Sequence, residues 1–392
     1  MFFAPISVAV TRGISNSKQR LPGYRVRQSA NGSLMILLAA SLLASAAISA
    51  TAQQPPQFDD LARQAAAARD HGDLPQAIAL YNQAEQLKPD WAEGWFYLGL
   101  LQYSSNAYPA AIDAFNHLLQ LQHGAPPALA LRGLCEFETA AYDDALRDLD
   151  EAVKEGAANQ PRNEQIIRYH LAQLLTRASR FQDAQEQYQF FAAQHLNDSD
   201  LLTGLGLAGL RVPLLTKDVP PADQPLYQAA GGAGMALLAG DTQEADAQFR
   251  QLFSSYPHQK GLHFFYGYLL FPHSSDLAID QFRAEAALAP ADTEAHAMLA
   301  FTLMIAGRYT EAEPEAQHVL TIEPELEIAQ LALGRSLAET GDIQHATDIL
   351  NAVLKRDPDN LEAHMGLATI YSRTGKREEA YREHQLCRSL AK

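Results

Sequence analysis

Cysteine is almost missing from this 392-residue chain, which carries only Cys135 and Cys387. No disulfide framework and no cysteine-ligated metal cluster can hold it together. Positive charge is scarce as well: 30 Lys and Arg stand against 46 Asp and Glu, a formal net charge of −16. A surface of that sign repels phosphate backbones and anionic lipid, so nucleic-acid binding and peripheral membrane binding are both disfavoured. It also keeps a chain soluble, whatever its partners. Catalytic signatures are missing too, with no HExxH, no GxSxG and no phosphate-binding loop. The one long apolar run, Leu34 to Ile48, has 15 residues, short of the roughly 20 that a spanning helix needs.

That run has a context. Arg12, Lys18, Arg20, Arg25 and Arg27 precede it, and Ala50, Thr51 and Ala52 follow it ahead of Gln53. A basic segment, a short apolar stretch and an Ala-x-Ala ending describe a secretory signal peptide over residues 1–52 and a periplasmic or secreted mature chain. The basic stretch is long, so a leader retained as an inner-membrane anchor is the alternative. No cysteine follows the apolar run, which argues against a lipid-modified terminus. Without the leader the chain keeps 25 basic and 46 acidic residues, a net of −21.

One spacing organises the rest. Ala77, Ala111 and Ala145 lie 34 residues apart, and the same interval runs from Ala278 through Ala312 and Ala346 to Ala380. A sustained period of this length predicts a stack of helical hairpins instead of one globular core. Each anchor alanine has companions at fixed offsets. Twelve residues upstream is a small slot: Ala65, Gly99, Gly133, Ala172, Ala233, Ala300, Gly334 and Ala368. Four downstream is a bulky group, as in Tyr81, Phe115, Leu149, Tyr188, Phe249 and Phe282. Twelve downstream of five anchors is a proline: Pro89, Pro257, Pro290, Pro324 and Pro358. Small residues let two helix backbones approach, the bulky one fills the gap beside them, and proline stops the second helix. Gly72, Gly240, Gly307, Gly341 and Gly375 fall five residues before their anchors, where a helix end needs a left-handed residue.

These residues closely resemble the tetratricopeptide repeat. Trp95, Leu98, Gly99, Ala111 and Phe115 reproduce nearly the whole signature in one unit, and Leu333, Gly334, Ala346 and Pro358 reproduce it in another. The resemblance covers about residues 58–392 in nine units with one interruption. It implies an all-α fold, a right-handed superhelical solenoid of nine to ten helix-turn-helix repeats. Ala316 and His384 depart from the pattern by replacing the bulky group. Tyr266 stands at a small slot, with Gly267 beside it as the substitute.

The period slips twice. Ala184 arrives 39 residues after Ala145, so about five extra residues sit near Gly156 to Arg162, and Ala245 follows 61 residues later still. Gly206, 34 beyond Ala172, marks Leu201 to Leu210 as the first helix of an incomplete unit. Its second helix is expected to be missing or distorted, because Pro213, Pro220, Pro221 and Pro225 occupy the place. The chain thus divides into an N-terminal solenoid over 53–210, a proline-rich break over 211–225 and a C-terminal solenoid over 226–392. The break reads as a hinge, a loop site or a decayed repeat.

Several features invite a chemical reading that packing explains better. Gly204, Gly206 and Gly209 spell GxGxxG, but inside an expected helix with no strand before it. His263, His296 and His364 hold nearly equivalent places in their first helices, about 10 Å apart in neighbouring units and too far to share a metal ion. Their place is that of Trp95. Cys135 and Cys387 fall in distant units, beyond the ~6 Å that a disulfide spans. Asn197, Asp198 and Ser199 match a glycosylation acceptor, a match common by chance. No cofactor and no metal are expected, and the chain reads as non-enzymatic. An enzyme would have to draw on Lys217, Asp218 and Asp223 in the break, which offers no nucleophile.

The resemblance implies a binding surface. In this family the first helices line a concave groove, and helical phase puts Phe96, Tyr97, Tyr103, Phe137, Tyr169, Phe264, Phe265, Tyr268 and Phe301 on or near it. Where family members clamp a peptide's terminal carboxylate with lysine, asparagine and arginine, this chain has Ala62, Ala66, Phe96 and Leu100, so that mode is not expected. An aromatic groove suits an apolar peptide or a partner helix. Packing between helices is the competing reading for each aromatic. The expected function is a protein-binding scaffold of the bacterial cell envelope. A membrane-tethered assembly subunit of secretion, pilus or polysaccharide-export machinery is the alternative, and self-association through the C-terminal helix is another.

Overall fold

The computed structural model describes residues 56–156 and 161–391. The expected leader, and residues 157–160 of the expected insertion, lie outside that range. Nineteen α-helices and no strand make up the described residues. Four hairpins come first: α1 (Pro56–Asp70) with α2 (Leu74–Leu87), α3 (Ala92–Ser104) with α4 (Tyr108–Leu121), α5 (Pro126–Glu138) with α6 (Tyr142–Lys154), and α7 (Pro161–Arg177) with α8 (Phe181–Ala192). A single helix, α9 (Ser199–Gly209), follows. Five more hairpins complete the chain: α10 (Gln224–Leu238) with α11 (Thr242–Ser255), α12 (Leu262–Leu270) with α13 (Ser275–Leu288), α14 (Thr293–Ile305) with α15 (Tyr309–Ile322), α16 (Glu327–Thr340) with α17 (Ile343–Arg356), and α18 (Leu361–Arg373) with α19 (Arg377–Leu390).

The sequence offsets become contacts. Eight of the nine anchor alanines have no exposed surface, Ala380 being the exception at 6%. At the small slots a methyl group on Gly99 would lie 2.7 Å from the Phe115 ring, and one on Gly133 or Gly334 would lie 2.9 Å and 2.8 Å from Leu149 and Leu350. The bulky residue of the second helix therefore fills the notch that the small residue of the first leaves open. Each such ring or leucine contributes roughly 1.5–3 kcal/mol by leaving water. Gly267 packs on Phe282 in the same way, and so takes the slot beside Tyr266. The five prolines each stand two residues past the end of a second helix.

The hairpin turns use a left-handed residue as expected, with φ between +73° and +116° at Gly72, Gly240, Gly307, Gly341 and Gly375. In three consecutive hairpins the same place is held by Asn106, Ala140 and Ser179, also at positive φ. The residues just before their second helices, Ala107, Ala141 and Arg180, make no side-chain cap, nor do Arg308 and Lys376 after two of the glycines, whereas Asp73, Asp241 and Asp342 cap theirs. A latch repeats between units. The Trp95 indole N–H donates to the Pro89 carbonyl at 2.8 Å, Gln330 Nε2 to Pro324 at 2.7 Å, and His364 Nε2 lies 2.9 Å from the Pro358 carbonyl. Trp95, Gln330 and His364, which share one place in their units, thus tie a first helix to the end of the helix before it, while the Nε2 of His296 at the same place has no protein partner.

The break is built differently from the missing helix expected there. Gly204, two residues before its slot, meets the Tyr188 hydroxyl of the preceding second helix, as Gly366 meets Leu350 in a regular unit. Gly206, at the slot, meets the backbone of Tyr227 in α10, where a regular slot meets its own second helix. Seen from α9, then, α10 is the second helix of the fifth unit. Seen from α11, whose anchor is Ala245, the same α10 is the first helix of the sixth. Gly231 faces the Leu202 carbonyl, so the contacts pair 206 with 227 and 202 with 231 and the two helices run antiparallel. One helix serves two repeats. The GxGxxG string is packing throughout, because Gly209 in turn lies against the Phe265 ring.

Cys135 is buried and Cys387 half-buried, both free. His384, at the bulky slot of the same helix, is exposed.

Candidate functional site: the first-helix face and the segment across it

Seven of the nine expected groove residues share one face of the first helices. Phe96, Tyr169 and Phe264 lie three residues before a slot, Tyr268 and Phe301 one after, and Tyr103 and Phe137 four after; at 100° per residue these offsets span about 60°. The other two lie two residues before a slot and point elsewhere. Phe265 is fully buried against Gly209, Gly234 and Phe249, and Tyr97 lies under the Arg69 guanidinium at 3.9 Å beside Tyr81. Both belong to the contact with the preceding helix. Phe96, Phe137, Tyr169 and Phe264 are buried as well, while Tyr103, Tyr268 and Phe301 keep partial exposure.

What buries several of these rings is the chain's own break. Between α9 and α10 the backbone turns at Arg211, with φ +58°, and makes one 3₁₀ turn over Thr216–Asp218. Thr216 donates its hydroxyl to Gln173 Oε1 at 2.7 Å and lies 3.5 Å from the Tyr169 hydroxyl. The Lys217 amine donates to the Tyr142 hydroxyl at 2.8 Å and sits 5.8 Å from the centre of the Phe137 ring. That hydrogen bond raises the Lys217 pKa above its ordinary value. Leu215 and Val219 are buried on either side of the turn.

Arg211 does the same on the following hairpins. Its guanidinium covers the Phe264 ring at 4.0 Å, donates to Glu294 Oε2 at 2.9 Å and pairs with Asp292. Asp292 also caps α14 through Ala295 N–H. Although burial works against it, the pairing with Arg211 holds the Asp292 carboxyl below its usual range. Gln182, at the start of α8, donates to Glu294 at 2.7 Å across 112 residues of sequence. The hairpins before and after the break therefore meet at this point. Tyr268 stands among these groups, its phenol pushed up by burial and then by the charges of Glu186, Asp183 and Glu294. The exposed remainder of the face is thus aromatic and acidic.

Sequence phase placed these aromatics but missed the groups that cover or answer them: Tyr142, Gln173, Gln182, Arg211, Thr216, Lys217, Asp292 and Glu294. Gln173 was within reach, since it occupies the same offset as Tyr268 and Phe301. Arg211 and Lys217 lie in the non-periodic segment, where no phase applies. Of the three histidines, His263 Nδ1 lies 2.8 Å from Gln281, His296 Nδ1 2.6 Å from Glu315 and His364 Nδ1 2.6 Å from Glu383. Each tether joins the two helices of one hairpin. Among the described residues no group of three His, Cys, Asp or Glu side chains could hold a metal ion, and no helix is long and apolar enough to cross a membrane.

Comparison with known proteins adds a family. A model described as "TPR repeat" matches residues 67–106, and one described as "Tetratricopeptide repeat" matches 303–359 and 337–383. Among solved structures, "MamA AMB-1" is 20% identical over 42% of this chain and 97% of its own, with a TM-score of 0.36. A tetratricopeptide repeat protein from Parabacteroides merdae is 13% identical over 72% and 100%, at 0.32, and yeast Tom70 is 15% identical over 85% and 92%, at 0.30. No functional conclusion follows from likeness at that level. Repeated offsets, helical hairpins and family matches agree: the chain is a tetratricopeptide repeat protein, an all-α repeat solenoid of the kind that serves as a protein–protein interaction scaffold.

Proposed function

We propose that the chain is a non-catalytic interaction scaffold of the bacterial cell envelope, exported by its leader, that holds a segment of a partner protein along the face of its first helices. The carrying observation is Tyr268, a half-buried ring whose phenol feels the charges of Glu186, Asp183 and Glu294, on a face where the neighbouring ring, Phe264, is already covered by a side chain. Rigid aromatics supply contact area at low entropic cost, and the carboxylates select against anionic partners. The leader's basic and apolar segments support export.

The test is capture from native envelope extract with the wild-type chain and a Tyr268→Ala, Phe301→Ala variant. A partner held by the first and lost by the second, with helicity and melting unchanged, supports the reading. Equal capture by both sinks it. Sequencing the N-terminus of the chain recovered from its host separates export from anchoring: a start at Gln53 means cleavage, and an intact leader means a tethered subunit.

A further inference from the structure

The segment across the first-helix face behaves as a ligand does. It holds no α-helix, turning at Arg211, where φ is +58°, closing a short turn from Leu214 N–H to the Val212 carbonyl at 2.8 Å, and running extended at Leu215 and Val219 on either side of one 3₁₀ turn; it buries two apolar side chains, and it places two cations six residues apart on two separate aromatic sites. Each cation lies against a ring, and the Arg211 site adds two carboxylates. We propose that residues 211–219 are an internal ligand of the scaffold, and that the partner is an extended basic protein segment which takes the same sites by displacing them. The proposal rests on the first-helix face being the binding surface and names the chemistry that the surface accepts.

Two properties of these sites fix the occupant. The first is charge. Phe264 with Asp292 and Glu294 forms a site for a planar cation with two hydrogen-bonding carboxylates, which is guanidinium chemistry. The phenol of Tyr142 beside the Phe137 ring is a site for an ammonium group. An acidic chain with a net of −16 draws a basic segment and repels a second copy of itself. The second is conformation. Thr216 donates to Gln173 through both its backbone N–H and its hydroxyl, a pairing that an extended strand or a 3₁₀ turn presents and a continuous α-helix does not. The internal ligand lowers apparent affinity by the fraction of time the face is free, so it sets a threshold against weak basic sequences.

The probe is a fluorescently labelled peptide with the chain's own sequence from Leu210 to Pro220, titrated into the full-length chain and into an Arg211→Ala, Lys217→Ala variant. The variant is expected to bind at least tenfold more tightly than wild type. Adding Asp292→Asn and Glu294→Gln to it should reverse that gain, and a peptide with glutamine for both cations should bind neither protein. Equal binding to wild type and variant overturns the internal ligand. Equal binding of the glutamine peptide overturns the basic partner. Should the variant melt early, hydrogen exchange in wild type decides: saturating peptide should speed exchange at Leu215 to Val219, and unchanged exchange overturns the proposal. If these fail while partner capture still depends on Tyr268 and Phe301, the binding face stands and only the internal ligand falls.

Discussion

Where α3 meets α4, the glycine of the slot faces a ring; where α9 meets α10, it faces a peptide bond. A methyl group on Gly99 would lie 2.7 Å from Phe115 side-chain atoms, while one on Gly206 or Gly231 would lie 2.0 Å and 1.8 Å from the carbonyl oxygens of Tyr227 and Leu202. Regular hairpins thus meet through side chains, which have rotamers to spare. The shared helix meets its neighbour through backbone, which has none. The repeat tolerates drift in its regular units but not at the helix that two units share.

The largest effect should come from breaking that contact. Gly206→Ala or Gly231→Ala is expected to cost about 3 kcal/mol or more, and Gly99→Ala about half of that, because a ring shifts more easily than a backbone. Urea denaturation of the three variants measures the difference, and an equal or reversed order would refute it.

Two buried glutamates on second helices sharpen the same contrast. Glu285 accepts from Gly261 N–H at 2.7 Å and Phe264 N–H at 3.2 Å, capping α12. Glu85 is packed against Gly94 with no protein donor in reach of its carboxyl, and burial pushes its pKa up to about 8. A carboxyl whose folded pKa lies above its unfolded value of 4.5 holds a proton on folding, so stability falls as pH rises from about 4.5 to about 8. Glu85→Gln should remove that slope and add on the order of 2 kcal/mol at pH 9, with little change at pH 4. Thermal melts across pH check the sign; an unchanged slope would show that Glu85 is already ionised and solvated.

The turns offer a smaller effect. Ala140→Gly relieves a left-handed alanine and should stabilise by about 1 kcal/mol, whereas Gly341→Ala, the converse change, should cost a similar amount. The inter-unit latch is smaller still: Gln330→Ala should cost less than about 1 kcal/mol, since the bond lies at the surface. Chemical denaturation resolves the first pair, and local hydrogen exchange around Pro324 the second.

Most of the fold was legible because period and offset are properties of sequence. Anchor alanines, slots, turn glycines and terminal prolines each mark one contact that recurs in unit after unit. The sharing of α10 was not legible. Its prolines at 213, 220, 221 and 225 do mark a break, but the helix after them carries the offsets of a first helix only, and its second role depends on what packs behind Gly231. The first-helix face was legible as a phase, and phase error explains Tyr97 and Phe265, one position away from Phe96 and Phe264 and 100° around the helix. What fills the face could not be read, because Arg211, Thr216 and Lys217 belong to a segment without a period and meet partners 43 to 83 residues away.

Native-state hydrogen exchange followed by mass spectrometry tests the shared helix most directly. If α9 and α10 are locked backbone to backbone, peptides from Leu201–Gly209 and from Tyr227–Leu237 should open together, at one rate that Gly231→Ala raises in both. If α9 instead exchanges with α7 and α8 while α10 exchanges with α11 and α12 at a different rate, the two helices belong to separate units and the account is wrong.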